Sequence, residues 1–121
     1  MNGRVKDILP IRVSTATAIA AAGTTRSREF PEVATFSSII VDVNITAISG
    51  SGATLTVGVE EYDEVSGTWN DLPAGQMTAM TTVSHQRIQF SKFGVSLRWR
   101  FVAAGTSPSI AFTVGAVLSN E

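Results

Sequence analysis

From Ile39 onward the chain alternates strictly: Ile39, Val41, Val43, Ile45 and Ala47 are apolar, while Asp42, Asn44 and Thr46 fall between them. Successive side chains of a strand point to opposite faces, so the run fits a half-buried β-strand and no helix. After Ser49-Gly50-Ser51-Gly52 the alternation resumes, with Leu55, Val57 and Val59 set against Thr54, Thr56 and Glu60. Glycines there can supply the positive-φ positions of a short connection, and residues 38–48 and 53–62 are expected to pair as a hairpin.

The same period recurs in residues 95–103, where Leu97, Trp99 and Phe101 alternate with Arg98 and Arg100, and in residues 109–118, where Ile110, Phe112, Val114 and Ala116 share a face. Shorter strands are expected at 11–22, 68–72 and 81–90. Val, Ile and Thr together number 36 of the 121 residues, a bias toward strands. The nearest helix candidate, Phe30 to Phe36, opens on Phe30-Pro31 and is too short to decide, so helix content is expected to be minimal. These signals predict an all-β fold, a two-layer antiparallel β-sandwich of about eight strands, jelly-roll-like, as one domain over residues 13–121.

A formal net charge of -1 and a pI near 5.8 argue against phosphate-rich partners, so neither nucleic acid nor an anionic membrane is expected. The alanine-rich stretch Ala16 to Ala22 is interrupted by Thr17 and reads as strand rather than as a signal sequence. With no cysteine, disulfides are excluded and residence in a reducing cytoplasm is expected.

Catalytic chemistry has little to draw on. His85 is the one histidine, and Ser84 beside it falls on the opposite face of a strand, so a surface or edge position is the expected role. The cluster Glu60, Glu61, Tyr62, Asp63 and Glu64 lacks EF-hand spacing and reads as a solvated strand end rather than a calcium site. No cofactor and no metal are expected. In Arg98-Trp99-Arg100 the tryptophan shares its face with Leu97 and Phe101, which leaves both arginines outside to meet a carboxylate such as Asp42 or Glu60, or one on another subunit.

Residues 1–12 differ from the rest. Arg4, Lys6 and Arg12 are mixed with Val5, Ile8, Leu9 and Ile11, an apolar and basic arm ahead of the first full strand. Such an end frays unless it is held by its own domain or by a neighbouring subunit, and its apolar side chains favour the subunit. The interaction candidates are therefore Arg4, Val5, Lys6, Ile8, Leu9, Ile11, Arg98 and Arg100.

The stretch from Gly52 to Pro73, containing L-T-V-G-V-E-E-Y-D and G-T-W-N-D-L, together with 95–101 and the G-T-S-P-S-I-A-F run from Gly105, resembles small β-sandwich accessory proteins of tailed bacteriophages. It covers about half the chain, in turns and core positions, and the turn Asp63-Glu64-Val65-Ser66-Gly67 is longer than that pattern. The resemblance implies a non-enzymatic virion component, a head decoration (cement) protein bound to the major capsid protein or other virion proteins. It also implies a homo-oligomer, by analogy a trimer, assembled in the host cytoplasm. Two alternatives stand beside it: a neck or tail accessory protein, and a carbohydrate-binding module using Trp69 and Tyr62.

Overall fold

Two strands of unusual length organise the chain: β3, Ser38–Asp63, of 26 residues, and β6, Leu97–Ser119, of 23. They run antiparallel over nearly their whole length, from Ser38 opposite Ser119 to Glu61 opposite Leu97. The computed structural model describes residues 11–30, 36–91, 93 and 96–119, and among these there is no helix. The remaining strands are β1 (Ile11–Ile19), β2 (Gly23–Glu29), β4 (Thr68–Gln76) and β5 (His85–Phe90). All six join one open antiparallel sheet.

The expected hairpin of 38–48 with 53–62 does not form. These segments are successive halves of β3, and both pair with β6, whose own halves were expected as separate strands at 95–103 and 109–118. Glycine explains the difference. Gly50 and Gly52 on β3 have φ of 113° and 65°, and Gly105 and Ser107 on β6 have 113° and 48°, with Ser51 opposite Thr106 between them. Positive-φ residues placed at one level of two paired strands bend both together instead of reversing either. The approach is close: a Cβ on Gly50 would lie 2.8 Å from the Ser107 carbonyl oxygen, and one on Gly105 2.8 Å from Ala53 Cα.

On either side of this bend the neighbours differ. β1 pairs with β6 from Ile110 to Leu118 and β5 with β3 from Ile39 to Asn44. Beyond the bend, β2 pairs with β6 from Arg98 to Ala103 and β4 with β3 from Gly58 to Asp63. β1 starts at Ile11, so Ile11 and Arg12 belong to the sheet. Arg4, Val5, Lys6, Ile8 and Leu9 lie outside the described residues, as do 31–35 within the Phe30–Phe36 segment.

Ile39, Val41, Val43, Ile45, Leu55, Val57, Val59, Leu97, Trp99, Phe101, Ile110, Phe112 and Val114 are all buried and belong to one cluster spanning both sides of the bend. Phe30 and Phe36 join them. Ala47 does not, because the register slips between Ile45 and Ala47 and the extra residue turns its side chain outward.

Candidate functional site

The inner face of β3 and β6 is filled with hydrocarbon, so chemistry is confined to the outer one. Glu60 alternates with Val59 and faces outward, yet it is only 4% exposed. Its cover is arginine. Arg98, directly opposite on β6, donates from Nε to Glu60 Oε1 at 2.8 Å, and Arg26 of β2 donates from Nε to the same oxygen at 3.1 Å. Arg100 approaches Oε2 at 3.9 Å and itself pairs with Asp71 of β4. Burial pushes the Glu60 carboxyl up, but the hydrogen bonds and charges of Arg98 and Arg26 outweigh it and hold the group below its ordinary value.

The network continues into β4. Arg100 Nη2 donates to Gln76 Oε1 at 2.9 Å, and Gln76 Nε2 donates to the carbonyls of Val59 and Leu72 at 3.0 and 2.9 Å. These bonds fasten the irregular stretch between Asp71 and Gln76, where β4 carries extra residues opposite β3. Gly58 makes the room, since a Cβ there would overlap Gln76 Oε1. At the far end the guanidinium of Arg98 lies 4.1 Å from the centre of the Trp69 ring, a cation–π contact, and Trp69 packs on Tyr62 at 5.4 Å with the rings tilted by 60°.

Trp69 lies within the strand expected at 68–72, which is the start of β4, and stands opposite Tyr62. Arg98 and Arg100 lie on the outer face as expected, with Glu60 as a partner, but both are engaged within their own chain. Asp42 is not one of their partners: it accepts from His85 Nε2 at 3.0 Å and has Arg87 at 3.9 Å, all on the β3–β5 pair. His85 is exposed, and the Ser84 hydroxyl donates to the Thr82 carbonyl rather than to it.

The acidic cluster is dispersed by the fold. Glu60 serves the arginines, while Asp63 turns back to accept from the N–H groups of Val65 and Ser66, which hold its carboxyl below the usual range. Among the described residues no group of three or more potential ligands could hold a metal ion. Arg26, Asp71 and Gln76 were not foreseen. Arg26 sits on a strand with no apolar alternation to announce it, and Gln76 beyond a proline that interrupts the pattern.

No helix among the described residues is long and apolar enough to cross a membrane. No family model matches the chain, and no curated protein matches it in sequence. Among solved structures, one described under "Bacillus endospore appendages form a novel family of disulfide-linked pili" is similar over 93% of this chain and 90% of that chain. The sequence identity is 12% and the TM-score 0.49.

Proposed function

We propose that the sheet folds over at its glycine bend into a two-layer, jelly-roll-like sandwich, and that this sandwich is a non-enzymatic structural component of a tailed-bacteriophage virion. The reading is a head decoration protein that associates with itself and stabilises the capsid shell through the major capsid protein. The observation that carries it is the bent β3–β6 ladder, with one apolar cluster spanning the bend and Phe101 and Phe112 in edge contact at 5.2 Å across it. Such a module suits a part that must stay rigid on a particle. The sequence resemblance supplies the particle.

The polar face fits the same reading. The charges of Arg98, Arg100, Glu60 and Asp71 are spent on each other, which makes a clamp across three strands rather than a reactive centre. Arg98 lies over the Trp69 ring, and Tyr62 packs on Trp69 at a tilt of 60° rather than coplanar with it, which favours the virion reading over a glycan-binding one. Incubating the purified chain with particles that lack it, followed by sedimentation, tests the proposal. Binding that saturates and raises the temperature of capsid rupture is expected; particles that sediment free of the protein contradict it.

A further inference from the structure

The sheet has four strands with one unpaired edge each among the described residues, and three of them carry features that discourage further pairing. β2 holds Arg26, Arg28 and Glu29 and breaks register between Arg26 and Glu29. β4 contains Pro73 and an irregular stretch opposite Val59, and β5 is six residues long and carries His85 and Arg87. β1 has none of these. It runs nine residues, Ile11–Ile19, in unbroken register against β6, with Arg12 as its single charge. A long regular edge with outward N–H and C=O groups is a template for another strand.

We infer that β1 is the contact through which two copies of this chain join, antiparallel about Thr15, into one continuous sheet. The argument is the self-complementarity of Ile-Arg-Val-Ser-Thr-Ala-Thr-Ala-Ile. A two-fold axis at Thr15 sets Ile11 opposite the partner's Ile19, Val13 opposite Thr17 and Thr15 opposite itself. These five positions lie in register with Leu118, Ala116, Val114, Phe112 and Ile110 of β6, which are buried. In the same register Ser14 stands opposite Ala16, and Arg12 opposite Ala18 rather than a second arginine. Like charges nowhere oppose each other. Because the pairing is isologous it consumes both edges and stops at two copies. The inference goes beyond the virion reading and does not depend on it.

The chain's lack of cysteine makes the test direct. Thr15→Cys places the introduced thiols opposite each other at a spacing a disulfide can bridge, whereas Arg28→Cys on β2 serves as a control. Under mild oxidation Thr15→Cys is expected to give a covalent dimer and Arg28→Cys to stay monomeric. Sedimentation of the unmodified chain should show a dimer. Ala16→Lys, which brings two positive charges near the axis, should weaken it by about tenfold or more, and adding Ser14→Glu should restore it through two cross-strand ion pairs. An unmodified chain that remains monomeric, equal cross-linking at the two positions, or a dimer indifferent to Ala16→Lys overturns the inference.

Discussion

Glu60 and Arg98 lie directly opposite each other across the β3–β6 ladder, on the face away from Val59 and Trp99, and are joined by a hydrogen bond of 2.8 Å. The pair shows how a charge can be buried on the outer side of a sheet: it is covered by side chains that neutralise it.

Removing the carboxylate leaves Arg98 and Arg26 facing each other without their shared acceptor. Glu60→Ala is expected to cost about 2–4 kcal/mol, because breaking one member of a buried pair strands the others. Glu60→Gln should cost less, since its amide oxygen can still accept. Urea denaturation of the two variants checks both the loss and its order.

The same carboxyl makes stability depend on acid. Its folded pKa lies below its ordinary 4.5, so the unfolded chain binds more protons in that region. The contribution is fully present above about pH 4.5 and disappears as the pH falls through the lower folded value. Asp63 is shifted in the same direction. Melting temperatures recorded between pH 7 and pH 3 should fall less steeply for Glu60→Gln than for the unmodified chain.

At the bend, glycine is required twice over. Gly50 and Gly105 combine positive φ with backbone atoms closer than 3 Å to where a Cβ would sit. Gly50→Ala and Gly105→Ala should each cost about 2 kcal/mol or more. Gly58→Ala meets side-chain ends rather than backbone, Gln76 Oε1 and Arg100 Nη2, and should cost about 1 kcal/mol as their hydrogen bonds shift. Denaturant midpoints for the three variants give the ranking.

Within the core, Phe112 is 2% exposed and bridges to Phe101. Phe112→Ala is expected to remove about 3–5 kcal/mol, whereas Ile45→Val should remove about 0.5–1.5 kcal/mol. Calorimetry of both variants distinguishes a tightly packed core from a loose one.

Alternation made the core legible, because period two and burial on one face are the same fact for Ile39, Val57 or Phe112. It misled at the glycines, since Gly50 and Gly52 look alike in sequence whether they reverse a chain or bend two strands. Only the partner, β6 with its own Gly105, decides between these. β2 left no trace in the pattern: both of its faces are largely exposed, so nothing selected apolar residues at alternate positions. The polar face was half legible. Parity placed Arg98 and Arg100 outside and named Glu60, but Arg26 lies 34 residues from Glu60 in sequence and Asp71 lies 29 from Arg100.

Mass spectrometry of purified virions, with the copy number of this chain measured against the major capsid protein, tests the central claim most directly. A decoration protein predicts copies in the hundreds, in fixed proportion to the shell. A dozen copies or fewer, or absence from the particle, would contradict it.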